Sequence, residues 1–432
     1  MGIPLRPELR DLEMVPLGNR RDLLFALRDP EGFSEPVVVP YGGALLAALM
    51  DGKRTLAQIQ AEFKRQVGVP VALNDLERLI GQLDEACLLE GERFEALCRS
   101  RIESYLKSPV RPASHAGQSY AGAAEELTRE LSEYFTCDKG PGPCRSPARG
   151  RNGRPVCGVV SPHIDPYRGG PAFAWAYQTI AERARAALFV IFGTAHTPMG
   201  QPFSICRKDF ATPLGVARTD NAFIDRLLEH LGSSVAGRLL DPFEDALAHR
   251  REHSIEFQVV FLQHALGPKR CFRIVPILVG SFHELLENGT HPDQSPEIQA
   301  FVAAVRAAAA GHRGDVCYIS AADLAHIGQR FGDDGLLDDQ RLAEQSDDDR
   351  KLLAAACRGE GAAFFQHVAD QKDRSRICGL APTYTLLEVI RPARGELLIY
   401  DQAVDADRTS CVSFASVAFY REDGLPSGEP RA

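Results

Sequence analysis

The sequence predicts an α/β protein: a sandwich on a mainly parallel β-sheet over residues 155–421, preceded by a small α+β module. Three observations point there. From residue 155 onward, short β-branched runs alternate with helix-length stretches, the pattern of strands joined by crossover helices. Residues 31–95 have another texture, one Val-rich strand followed by short amphipathic helices. The 432 residues are 44% hydrophobic and 25% charged, enough apolar material for a large core, and at about 150 residues per domain the length suggests two or three domains.

Residues 1–30 read as an N-terminal tail. They carry acidic residues and lack the apolar stretch of a secretory signal. Gly2 is not followed by the Ser or Thr of a myristoylation site, since Arg6 stands there. No apolar run approaches the roughly 20 residues of a membrane span, so a cytoplasmic protein without a membrane partner is expected. The module at 31–99 begins with a strand at Val37, Val38 and Val39, a turn at Pro40-Tyr41-Gly42-Gly43, and an apolar helix over 44–50 stopped by Asp51-Gly52. Thr55 and Gln58 have capping-box spacing ahead of a helix with Leu56, Ile59 and Phe63 on one face. Asn74 is placed to cap a third helix carrying Leu76, Leu79, Ile80, Leu83 and Cys87. Leu88, Leu89 and Phe94 suggest a closing β-hairpin, which makes the module winged-helix-like. VxxPYGGALLAALMDGKRTLAQIQ and DLERLIGQLDEACLLE resemble the PqqD-like, peptide-recognising type of winged helix. The alternative is a helical cap on the larger domain.

Residues 100–154 are transitional: a helix near 119–136, then the Gly-, Pro- and Arg-rich stretch DKGPGPCRSPARGRNGRP, expected as an exposed linker. Strands are then expected at 156–160, 188–192, 272–279, 316–320, 397–400 and 411–419. Helices are expected at 171–187, 220–231, 254–266, 295–310, 349–370 and 382–391. Residues 422–432 form a C-terminal tail. Net charge is −9, and residues 333–350 hold eight Asp or Glu against two Arg. The acidity is therefore largely one local run, read as a solvated loop and helix start, and no basic footprint for nucleic acid exists. The eleven cysteines are scattered, odd in number and without CxxC spacing, which argues against a disulfide framework.

Ligands of parallel sheets sit beyond the carboxyl ends of strands, so reactive residues directly after strands are the candidates for a site. Three segments qualify: Ser161-Pro162-His163-Ile164-Asp165, Gly193-Thr194-Ala195-His196, and Ala321-Ala322-Asp323-Leu324-Ala325-His326. One histidine after a strand is ordinarily a packed residue, but three in one domain suit a metal site or an acid–base site. Glu252-His253-Ser254-Ile255-Glu256 opens a helix, with His253 and Glu256 on one face. It is not HExxH, and it reads either as support for the site or as a helix cap by Ser254 with Glu256 near the positive helix end. Cys378 starts the last long helix in ICGLAP, where a thiolate is stabilised, making it a candidate ligand or nucleophile. The other reading is simple burial.

SPHID…RGG, GTAH, EHSIE, RIVPILVG, AADLAHIGQRF and ICGLAP occur in the order seen in the Memo (mediator of cell motility) family, whose bacterial members are called AmmeMemoRadiSam system protein B. The resemblance covers 155–421. It implies a fold like the LigB type of class III extradiol dioxygenases, a metal held by His163, His196 and Cys378, and catalytic roles for His326, Asp323 and His253. The chain departs from the family pattern after His163 and at Thr197, where many members carry a second histidine. A pocket wall of its own is therefore expected.

Two imidazoles and a thiol accept Fe(II), Cu or Zn; the resemblance favours iron or copper over zinc. It implies two alternative functions. One is a metal-dependent oxidoreductase of extradiol-dioxygenase ancestry, with His326 as acid–base, Asp323 orienting it and His253 as a second proton shuttle. The other is a non-catalytic metal-binding partner of radical-SAM and AMMECR1-type companion proteins, recognising a peptide through its N-terminal module. A zinc hydrolase is a third option.

Overall fold

The computed structural model describes residues 3–17, 23–30, 32–143, 154–234, 241 and 243–421. Gly2, residues 144–153 of the Gly/Pro/Arg-rich stretch and the C-terminal tail at 422–432 lie outside them. The chain divides into two units, Met1–Ser108 and Pro109–Ala432.

In the first unit, β1 (Glu13–Leu17), β2 (Leu24–Arg28) and β3 (Val37–Pro40) form an antiparallel meander. After it come α1 (Tyr41–Ala48), α2 (Leu56–Val67), α3 (Leu73–Glu85) and α4 (Glu92–Lys107). Three expectations are corrected here. The segment read as an N-terminal tail supplies two strands, which pair with each other and through β2 with β3. The expected hairpin around Phe94 is instead the start of α4, where Phe94 packs edge-on against Phe33. Phe94, Leu97, Cys98, Ile102 and Tyr105 recur at helical spacing, a signal strong enough to override the apolar pairs before it. Helix α3 begins at Leu73 with Ala72 at its cap, so Asn74 lies inside the first turn. The Thr55–Gln58 capping box at α2 forms as expected. Leu27, Val39, Ile59, Leu76, Ile80 and Leu83 make the core.

The second unit opens with β4 (Val110–Arg111) and α5 (Ala124–Thr136), then β5 (Val156–Ser161), α6 (Pro166–Arg183), β6 (Leu188–Thr194), β7 (Phe203–Ile205), β8 (Asp209–Thr212), β9 (Gly215–Thr219) and α7 (Asn221–Ser233). It continues with α8 (His253–Leu266), β10 (Arg273–Val279), α9 (His283–Asn288), α10 (Pro296–Ala310), β11 (Val316–Ala321), β12 (His326–Ile327), α11 (Asp339–Cys357), α12 (Gly361–Asp370), α13 (Leu380–Ile390), β13 (Ala393–Val404) and β14 (Cys411–Arg421). Among the described residues, eleven strands form one sheet in the order β12-β14-β5-β11-β6-β10-β9-β8-β4, with β13 on β14 and β7 on β10. Its centre, β5-β11-β6-β10-β9, is parallel. The mixed α/β architecture with a mainly parallel central sheet is as the sequence predicts.

Strands β5, β6 and β11 are buried along their whole length, which explains their continuous apolar runs. Apolar clusters fill both faces of the sheet, one holding α7, α10 and α13 residues, the other α5, α6 and α8 residues. The single helix expected at 349–370 is two, α11 and α12, broken at Gly359 with φ +72°. A Cβ there would sit 2.5 Å from the Ala393 carbonyl oxygen, so only glycine fits the break. No described helix is long and apolar enough to cross a membrane.

Candidate metal centre

Because β5, β6 and β11 are parallel neighbours, their carboxyl ends lie side by side. The chain leaving β5 carries His163, that leaving β6 carries His196, and that leaving β11 carries Asp323. Cys378 enters from the opposite direction, just before α13. Gly379 lets it approach: the Gly379 amide donates to the Asp323 carbonyl at 3.1 Å, and a Cβ on Gly379 would lie 2.3 Å from that oxygen. His253 comes from the first residue of α8.

These donors gather into two sets that share His163. Ligand atoms of His163, His196 and His253 lie within 4.8 Å of one another, and so do those of His163, Asp323 and Cys378. The Cys378 Sγ is 3.5 Å from His163 Nε2, and an Asp323 carboxylate oxygen is 3.7 Å from the same nitrogen. His196 and Cys378 do not share a set. They line one cavity of about 310 Å³, with His283, Asp373 and Arg376 around them. His326 stands outside both sets. Its Nδ1 lies 3.2 Å from the carbonyls of Leu324 and Arg376, which leaves Nε2 as its free nitrogen.

The hydrogen bonds around the imidazoles orient them. His163 Nδ1 donates to the Ala321 carbonyl at 3.0 Å, and the His163 amide donates to Asp323 at 2.9 Å. Glu252, buried at the N-cap of α8, accepts from the His196 amide at 2.9 Å, from His196 Nδ1 at 3.0 Å and from the Ser254 amide at 3.0 Å. His253 Nδ1 is 3.3 Å from the same carboxylate. The cap on α8 is therefore Glu252, not Ser254, whose hydroxyl donates to the Thr194 carbonyl. The EHSIE segment both caps its helix and supports the site.

Glu256 faces away, into a buried anchor. It accepts from Arg111, from the Ser114 amide and hydroxyl, from the His115 amide and from Tyr120. Arg111, 0% exposed, also donates to the carbonyls of His249 and Glu252 at 2.6 and 2.8 Å. Sequence reasoning missed Glu252 and Arg111. An acid directly before a helix start is a readable cap signal; nothing local marks Arg111.

Electrostatics favour a cation. Burial, with repulsion from His196, pushes the His163 imidazole down to about 3. Burial likewise carries His253 to about 3 against the pull of Glu252. Both rings are thus neutral, with lone pairs to offer. Burial acts to raise Glu252, but the His196 hydrogen bond and the charges of His196 and His253 outweigh it and hold the carboxyl well below the usual range. His196 is correspondingly raised, because Glu252 outweighs burial there too. Burial raises Asp323, and burial plus Asp323 pushes the Cys378 thiol well above its ordinary value. Neutral imidazoles beside a charged carboxylate and a thiol that cannot easily ionise form a set which a cation completes, because its charge offsets the carboxylates and allows the thiol to deprotonate. Nitrogen and sulfur donors suit iron, copper or zinc and not calcium or magnesium. The residues fit the metal implied by the sequence resemblance.

A family model described as Memo-like protein matches residues 111–418. A MEMO1 family protein of Aquifex aeolicus is 28% identical over 427 residues, spanning 96% of this chain and all of that protein. A MEMO1 family protein of Thermus thermophilus is 28% identical over 364 residues, 84% of this chain and 98% of that one. A shorter match, 37% identical over 173 residues, joins 39% of this chain to 56% of a MEMO1 family protein of Ignicoccus hospitalis.

Proposed function

The chain belongs to the Memo-like protein family, and from that premise we propose that it is an iron- or copper-dependent redox protein whose ion is held by His163, His196 and Cys378. One observation carries the reading: imidazole, carboxyl and thiol donors from three strand ends and two helix starts gather in two sets that share His163, the ligand atoms of each set within 4.8 Å of one another. The ion, when bound, supplies redox chemistry and Lewis acidity. The chain's own residues do the rest. Glu252 and the Ala321 carbonyl fix the orientation of the imidazoles, the supporting arrangement common at metal sites. His326, its Nδ1 proton held between two carbonyls, offers Nε2 as proton acceptor or donor. Asp323 anchors the His163 backbone and biases His326 electrostatically. A cavity of about 310 Å³ admits a small molecule or one side chain.

The test is metal content of the wild type, Cys378→Ser and Cys378→Asp after anaerobic loading with Fe(II), Cu(I) or Zn(II), with oxygen uptake measured for the iron form. The Ser variant is expected to lose about tenfold or more in affinity. The Asp variant is expected to keep Fe(II) and lose Cu(I), because carboxylate is a harder donor. Equal metal content in all three would remove Cys378 from the ligand set.

A second reading, a metal-binding partner of a radical-SAM companion, is favoured by one feature of the first unit. Val15 pairs through Ala26 with Val38, and Leu17 pairs through Leu24 with Pro40. Val15, Leu17, Leu24 and Val38 are 38–53% exposed, an apolar sheet face of the kind that binds peptides or proteins. Removing residues 1–108 should then abolish companion binding and leave metal content unchanged; retention of the companion would rule this reading out.

A further inference from the structure

We infer that His253 is a ligand of the same ion, so that His163, His196 and His253 form a three-imidazole face with Glu252 orienting two of its rings. This deepens the metal-binding reading above and rests on it. The sequence places His253 in a proton-shuttle role; the geometry points elsewhere.

Two of the three rings have Nδ1 in a hydrogen bond, and the third has it beside the same carboxylate. His163 Nδ1 is spent on the Ala321 carbonyl, and His196 Nδ1 on Glu252 Oε1. His253 Nδ1 lies 3.3 Å from that same Oε1. That leaves Nε2 as the donor nitrogen of His163 and of His196, and one ligand atom of each of the three residues lies within 4.8 Å of the others. The rings of His196 and His253 stack at 4.6 Å with 23° between their planes. Near-parallel imidazoles with Nδ1 beside one carboxylate oxygen can present their Nε2 atoms to one ion. The His163 ring meets both edge-on, at 5.0 and 5.5 Å. A carboxylate on the far nitrogen of a histidine is the usual support of a metal-binding imidazole, and it makes the near nitrogen a better donor.

A shuttle needs a route for its proton. His115 and Phe257 pack against the outer side of the His253 ring, at 5.7 and 5.2 Å. Among the described residues, no protein group hydrogen-bonds its Nε2. A ligand atom of His253 instead lies within 4.8 Å of those of His163 and His196, the spacing of a coordination environment. His326 differs: it is held by two carbonyls and belongs to neither donor set.

The experiment loads the full-length protein with Cu(II) and counts bound imidazoles by pulsed electron paramagnetic resonance. Zn(II) affinity by chelator competition is measured for the wild type, His253→Gln, His253→Asn and His283→Gln, the last a histidine of the cavity wall outside both donor sets. Three imidazoles are expected in the wild type and two in either His253 variant, with affinity falling about tenfold or more in those variants and unchanged in His283→Gln. Two imidazoles in the wild type would overturn the assignment, as would His253 variants that bind zinc like the wild type, or an equal loss in His283→Gln. Should the His253 variants fail to fold, the wild-type count still decides. A wild type that takes up neither ion would sink the metal-binding reading itself, a result distinct from losing one ligand of three.

Discussion

His249 isolates what burial does to an imidazole away from the ligand set. It is 1% exposed, donates from Nε2 to the Ser204 carbonyl at 3.1 Å, and has no partner for Nδ1. Charging it would place a proton on a buried, unpartnered nitrogen, and burial accordingly pushes its pKa down to about 3. The unfolded chain takes up that proton near pH 6.5. Between about pH 3 and 6.5 the unfolded state therefore binds more protons than the folded one, so stability rises with pH across this window and is lost as pH falls. Each such histidine contributes a slope of at most about 1.4 kcal/mol per pH unit. Urea unfolding at pH 7, 6 and 5 should show a shallower decline for His249→Gln than for the wild type. Parallel declines would mean that His249 is already charged in the folded protein.

The segment from β4 to Tyr120 is a strap tied to α8 by the Arg111–Glu256 pair, both side chains 0% exposed. Its energetic logic is that of a buried ion pair: the pair itself adds little over apolar packing, but removing one partner strands the other. Arg111→Met should therefore cost about 3–5 kcal/mol in urea unfolding. A loss below about 1 kcal/mol would show that water replaces the guanidinium. The strap also bears on the candidate metal centre. Arg111 holds the carbonyl of Glu252, and the Glu252 carboxylate holds His196, so the same variant should bind metal more weakly than its stability alone requires. That is checked by zinc competition at a temperature where the variant is fully folded.

These contacts also set the extent of the unit that carries the candidate metal centre. Leu127, Leu131 and Phe135 of α5 are 0–1% exposed within the cluster that includes Phe173 and Tyr177 of α6. Each such burial is worth about 1.5–3 kcal/mol. A fragment of residues 109–432 should fold and keep its metal. One of residues 155–432 lacks the strap and α5, and should aggregate or melt well below it. Equal melting temperatures by calorimetry would show that residues 109–154 are dispensable.

The candidate metal centre was partly legible because one rule is local: in a parallel sheet, the residues just past the carboxyl end of a strand lie at the ligand-binding edge. That rule, applied to continuous apolar runs, singled out His163, His196 and Asp323 as candidates from their own neighbours in the chain. The helical period likewise marked α7, α8, α10 and α13. The misread elements were those with weak local signals. Strands β1 and β2 are short, β1 is largely exposed and β2 has one buried residue, so no alternation separates them from a tail. Residues 109–120 are nearly all loop, so neither period applies. What the chain pattern could not supply is partnership. Glu252 meets His196 across 56 positions and Arg111 meets Glu256 across 145. His163 joins two donor sets only because β5 and β11 are adjacent and α13 closes over them from the far side. Periodicity reports which face of an element is buried. Which carboxylate meets which imidazole depends on strand order and on where a helix end docks, and those are settled only when the whole sheet has assembled.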